Sequence, residues 1–145
     1  MGRAMRHSCI LLADGHANML DAVRRLLSGR FATTLMVADE GSLLDAVGRI
    51  KPDLVVVDLS LPVTGCANVL NALFGRYPGL NVIVLSVHDE PSAISRALDA
   101  GAKGFVLKRT AAVDLTAAVD AVLRGEFYVS PMKGRRPGVE GGKER

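Results

Sequence analysis

Five times along the chain, a short run rich in β-branched residues is followed by a stretch with apolar residues at steps of three and four. This alternation is the pattern of an α/β domain, because each helix carries the chain back so that the next strand runs parallel to the last. The expected strands lie at 8–13, 32–38, 53–58, 81–86 and 103–107. Three of them, CILLA, LVVVDL and NVIVLS, lack polar alternation, as befits central strands covered by helices on both faces.

The intervening stripes read as core-facing helix surfaces: Leu20, Val23 and Leu27; Leu43, Val47 and Ile50; Val69, Leu73 and Tyr77; Ile94, Ala97 and Leu98; Leu115, Val119 and Val122. Punctuation agrees with this division. Pro52 precedes the third strand, Pro78-Gly79 ends the third helix, Pro91 opens the fourth, and Gly101 and Gly125 close the fourth and fifth.

A chain of 145 residues suits one domain with a two-sided core. The expected organisation is a flexible start over 1–7, a folded domain over 8–131 and a disordered basic tail over 132–145. The net charge of +3 resides in that tail, which holds five basic residues against two acids. The alkaline balance therefore describes the tail and does not argue for a nucleic-acid-binding face on the folded domain. No apolar run approaches the ~20 residues of a membrane helix, and no signal-peptide pattern opens the chain, so a cytoplasmic protein without membrane contact is expected. Cys9 and Cys66 show neither metal-type nor redox-type spacing and read as reduced residues in or near the core.

In a parallel sheet with right-handed crossovers, ligands bind at the edge formed by the strands' carboxyl ends. Here the first strand ends on Asp14, the third on Asp58, the fourth on Ser86 and the fifth on Lys108. Each of these alone reads as a loop residue or a helix cap, but together they place two acids, a hydroxyl and an ammonium on one edge. That set suits phosphoryl chemistry better than acyl transfer, since Ser86 has no base assigned to it. Asp58 can act as nucleophile, and the acids imply a hard divalent ion, normally Mg²⁺, to offset their repulsion of a phosphoryl group. Lys108 adds a second positive charge toward the phosphoryl oxygens, and Ser86 one hydrogen bond.

At these residues the chain resembles the response-regulator receiver family, through ILLADGH, PDLVVVDLSLPVTG, VIVLSVHDEP and GAKGFVLKRT in order over about residues 8 to 131. The resemblance implies a flavodoxin-like, doubly wound five-stranded parallel sheet of order 2-1-3-4-5 with helices on both faces. It implies that Asp58 accepts phosphate from a sensor histidine kinase, and that Asp14, Asp58 and the backbone carbonyl of Ser60 hold the metal. Ser86 and Phe105 would be the switch pair that reshapes the face of the fourth helix, fifth strand and fifth helix. Such a protein is a phosphoacceptor and not an enzyme in the usual sense. Ser60 and His88 occupy the positions that tune phosphate lifetime in the family. Phe105 reads equally well as a plain core aromatic.

His after the acidic position and the phrase RGEFYVSP resemble the NarL/FixJ subgroup, which usually continues into a LuxR-type helix-turn-helix. Only fourteen residues follow Pro131, too few for such a reader, so a stand-alone receiver or the receiver part of a longer regulator is expected. Family members often form homodimers through their helical faces.

One departure bears on the chemistry. Receivers carry two adjacent acids after the first strand, and His16 sets the register so that Asp14 is the first and Gly15 replaces the second. One charge and one oxygen ligand are lost, so Mg²⁺ is expected to bind more weakly. A water could fill the place, or Asp39 or Glu40 could reach it, although those two read better as cap and first turn of the second helix. Two alternatives stand beside the phosphorylated receiver: a pseudo-receiver that signals through protein contacts alone, and an enzyme of flavodoxin-like fold. ADGHAN places an acid where a flavin phosphate wants hydroxyls and free N–H groups, and no G-x-x-x-x-G-K-[ST] or G-x-G-x-x-G segment occurs.

Overall fold

The computed structural model describes residues 7–65 and 68–131. The expected flexible start, apart from His7, the residue Cys66 and the basic tail lie outside the described residues. The elements run β1 (His7–Ala13), α1 (Ala17–Leu26), β2 (Phe31–Val37), α2 (Glu40–Ile50), β3 (Leu54–Asp58), α3 (Val69–Arg76), β4 (Val82–Ser86), α4 (Pro91–Ala100), β5 (Gly104–Leu107), α5 (Ala111–Leu123) and β6 (Tyr128–Val129). All five expected strands and helices form, with strand ends shifted by one residue; β1 starts at His7, inside the segment expected to be flexible.

The sheet is parallel with order β2-β1-β3-β4-β5-β6, which corrects the expected five strands to six. The sixth pairs Tyr128 with Gly104 and Val129 with Phe105. Its amides at Tyr128 and Ser130 donate to the carbonyls of Lys103 and Phe105 at 3.0 and 2.8 Å. Two residues are too few to leave a periodic signal, so nothing in the apolar pattern announces this strand.

Alternation along the strands divides the core in two. Leu11, Ala13, Val55, Val57, Val82 and Val84 pack with α2, α3 and α4, while Ile10, Leu12, Leu54, Val56, Ile83 and Leu85 pack with α1 and α5. Leu54 to Val57 and Val82 to Leu85 are buried at every position, which explains their unbroken apolar runs. Each such side chain contributes roughly 1.5–3 kcal/mol on removal from water.

Close packing sets two glycines. A Cβ on Gly104 would stand 2.8 Å from Ile83 Cγ1, so β5 approaches its neighbour as only glycine permits. Gly101 ends α4 at φ 124, a conformation that side chains rarely adopt. At the N-terminus of α2, Asp39 accepts a hydrogen bond from the Ser42 amide at 2.8 Å. Glu40 accepts from the Thr64 amide at 3.1 Å. Asp39 is thus the cap of α2 as expected, while Glu40, in the first turn, ties α2 to the loop that follows β3.

Candidate functional site at the carboxyl edge of the sheet

Strand register brings the polar strand ends level. Ala13 is opposite Val57, Asp58 opposite Leu85, and Ser86 opposite Leu107, so Asp14, Asp58, Ser86 and Lys108 follow one another across the edge. Asp14, Asp58 and Ser86 are each 2% exposed, although all three are polar. Burial on this scale needs compensation, and the site supplies it through hydrogen bonds and one ammonium group.

The Lys108 ammonium lies 3.1 Å from Asp58 Oδ2 and 3.2 Å from Asp14 Oδ2. It reaches them from a short 3-10 turn, Lys108–Thr110, that follows β5. The other Asp58 oxygen, Oδ1, accepts the Ser60 amide at 3.0 Å, and the Ser60 hydroxyl lies 3.0 Å from both carboxylate oxygens. Burial pushes the Asp58 carboxyl up, but the Ser60 amide, the Lys108 ammonium and the Ser60 hydroxyl outweigh it and hold the group below the ordinary aspartate value. Asp58 is therefore an ionised, partly shielded oxygen nucleophile at neutral pH.

Asp14 is held differently. Its Oδ1 accepts the His16 amide at 2.8 Å and stands 2.8 Å from His16 Nδ1. Its Oδ2 is buried and receives no well-directed hydrogen bond, with Lys108 as its near cation. A buried carboxylate oxygen in that condition is what a metal site needs. Asp14, His16 and Asp58 offer one ligand atom each, all within 4.8 Å of one another. Gly15 adds no group; a Cβ there would meet only the Ala38 carbonyl, at 3.9 Å. The donor set thus fits a divalent cation through Asp14 and Asp58, with one carboxylate fewer than a receiver with two adjacent acids and with an imidazole close by.

Ser86 does not touch Asp58. Its hydroxyl oxygen accepts the His88 amide at 2.9 Å and donates to the His88 carbonyl at 3.4 Å. Phe105 is fully buried in the core on the α2–α4 side. Asp39 and Glu40 make the local bonds described above and take no part in the cluster.

Two features escaped the sequence reading. His16 served there to fix the register and to mark the subgroup, yet its ring also faces both acids; the signal was an imidazole two residues past a strand-end acid. The second feature is a buried carboxylate, Asp114, which accepts hydrogen bonds from Thr110 Oγ1 at 2.6 Å, Ser130 Oγ at 2.8 Å and Tyr128 Oη at 2.9 Å. Ser130 Oγ in turn accepts the Leu107 amide at 3.0 Å. This clasp ties β6 to α5 and to the end of β5, next to Lys108.

The family profile described as response regulator receiver domain matches residues 10–120. The transcriptional regulatory protein DegU of Brevibacillus brevis is 31% identical over 124 residues, covering 84% of this chain and 52% of that protein. UhpA of Salmonella typhimurium is 34% identical over 125 residues, covering 84% and 62%. A solved two-component response regulator of the LuxR family from Aurantimonas sp. SI85-9A1 superposes with a TM-score of 0.72 at 27% identity, covering 83% of this chain and 88% of the other. The chain spans between about half and three fifths of the length of these two curated relatives.

Proposed function

The chain belongs to the response-regulator receiver family, and from that premise we propose that it is a phosphorylation-controlled receiver with Asp58 as the acceptor. The observation that carries this is the Asp58 carboxylate itself, buried at the strand edge, held ionised, and 3.1 Å from the Lys108 ammonium. An Asp58 oxygen bonds to phosphorus as the P–N bond of a kinase phosphohistidine breaks, and the imidazole nitrogen leaves with the electron pair and takes up a proton. Lys108 offsets charge on the phosphoryl oxygens. Asp14, Asp58 and the Ser60 carbonyl would hold Mg²⁺, which would supply further charge neutralisation there, and the lack of an acid at Gly15 would weaken its binding.

The signal leaves through Ser86. To reach a phosphoryl group its hydroxyl gives up its bonds to the His88 backbone, which lies at the head of α4. Phe105 repacks with it, and the α4, β5 and α5 face changes shape. In the cytoplasm its partners are a sensor histidine kinase and a second copy of the chain, with transcriptional output through the longer protein architecture of the relatives. The folded domain itself makes no nucleic-acid contact.

A small phosphodonor with Mg²⁺ tests this: the chain gains a phosphoryl mass that Asp58→Asn abolishes. One observation favours a second reading. Lys108 already bridges Asp14 and Asp58 where the second acid is missing, so a pseudo-receiver working through protein contacts alone would show no adduct under generous Mg²⁺.

A further inference from the structure

The loss of the second acid coincides with an imidazole turned toward the same space. His16 Nδ1 stands 2.8 Å from Asp14 Oδ1 and 3.9 Å from Asp58 Oδ2. Its direction is set by the backbone. The Asp14 carboxylate captures the His16 amide at 2.8 Å, which folds the two residues into a tight turn and brings the ring over the acids. Gly15, between them, leaves the way open.

Independently, Asp14 Oδ2 is buried and lacks a directed hydrogen bond; its neighbour is the Lys108 ammonium at 3.2 Å, which an ion on this oxygen would displace. The three ligand atoms lie within 4.8 Å of one another. Ligands on one ion at ~2.1 Å stand roughly 3 to 3.5 Å apart, so side-chain adjustments of about an ångström bring them onto one centre. The His16 ring is mostly exposed and free to make that adjustment.

Ligand chemistry then decides the ion. Mg²⁺ wants near-octahedral oxygen, sheds water reluctantly and gains little from an imidazole. Ions of borderline softness accept nitrogen and carboxylate together, with affinity rising along the first transition series. We propose that His16 is a metal ligand with Asp14 and Asp58, and that the substitution at Gly15 has turned this site from Mg²⁺ toward a borderline divalent ion of the Mn²⁺, Co²⁺ or Zn²⁺ class. The inference rests on Asp58 being the functional centre, and names the cation that serves it.

The full chain is titrated calorimetrically with Mg²⁺ and with Co²⁺, and the Co²⁺ form is inspected by proton NMR for a paramagnetically shifted imidazole N–H signal. Co²⁺ is expected to bind at least about 30-fold more tightly than Mg²⁺, and His16→Ala to cost about tenfold in Co²⁺ affinity and much less in Mg²⁺ affinity. The shifted signal should vanish in that variant, whose fold is checked by circular dichroism. Equal Co²⁺ affinity in His16→Ala and wild type, or Mg²⁺ binding as tightly as Co²⁺, overturns the proposal. The two readings separate cleanly. A chain that shows His16-dependent Co²⁺ binding but no adduct on Asp58 fails only as a phosphoacceptor. A chain that forms the adduct and does not distinguish the two ions fails only here.

Discussion

The Lys108 ammonium stands 3.1 Å from Asp58 Oδ2, close enough to act as the internal counter-ion of that carboxylate. Because it reaches Asp14 Oδ2 at 3.2 Å as well, one side chain neutralises two buried acids. Removing it leaves both uncompensated.

Lys108→Met is therefore expected to lower stability by roughly 3 kcal/mol at pH 7, as breaking a buried ion pair does. The pH dependence has a definite sign. The folded Asp58 carboxyl is depressed, so its stabilising contribution is present above the unfolded value of 3.8 and is lost as pH falls through the lower folded value. In Lys108→Met the carboxyl moves up, so the deficit should shrink as pH falls toward 4. Urea unfolding of both proteins at pH 7 and pH 4.5 checks this; a deficit that is the same at both values would show that Lys108 is not the counter-ion.

Ser130 is fully buried between the Leu107 amide and the Asp114 carboxylate. Ser130→Ala leaves a buried N–H without its acceptor and should cost about 1–3 kcal/mol in urea unfolding. A change below about 0.5 kcal/mol, the size of a neutral surface substitution, would mean that the clasp does not hold β6.

Tyr128 reports on the same clasp. Burial, the hydrogen bond to Asp114 and its negative charge push the phenol up to about 12. Its neutral form is favoured in the fold, so this contribution is intact below the ordinary phenol range and lost as pH rises through the folded value. In a Tyr77→Phe background Tyr128 is the sole tyrosine, and ultraviolet absorbance should place its ionisation near 12. Adding Asp114→Asn should bring it down; no movement would separate the phenol from the carboxylate.

Gly15→Asp has room, since a Cβ there touches only the Ala38 carbonyl at 3.9 Å. The new acid adds a third negative charge beside Asp14 and Asp58, so the metal-free protein should melt at a lower temperature than wild type. Millimolar Mg²⁺ should raise the variant's melting temperature far more than it raises that of wild type, through its tighter binding to the folded state. Equal Mg²⁺ shifts in the two proteins would mean that the missing acid does not limit binding.

The parts of the fold that bury whole faces were legible before any coordinates. Residues 54–57 and 82–85 carry no polar residue because both sides of each strand are covered, and that alone marked them as central. The polar carboxyl edge was legible for a related reason: Asp58 and Ser86 interrupt apolar runs at the strand ends. The β6 strand was not, because Tyr128 and Val129 are held by backbone pairing and the Asp114 clasp instead of by an apolar pattern. Asp114 reads as a first-turn acid that favours a helix start, and only the fold reveals that three hydroxyls from either side of α5 in sequence converge on it. The spacing of His16 from Asp14 hints at contact, but the direction of its ring depends on a hydrogen bond from its own backbone to Asp14, which only the fold shows.

The most direct measurement is chemical identification of the phosphorylated residue. The chain is treated with a small phosphodonor and Mg²⁺, reduced with borohydride, which converts an aspartyl phosphate to homoserine, and mapped by peptide mass. Homoserine at position 58 in the wild-type chain, and unmodified residue at that position in Asp58→Asn, is the predicted result. An adduct on another residue, or none at saturating Mg²⁺, would contradict the assignment of Asp58 as the acceptor.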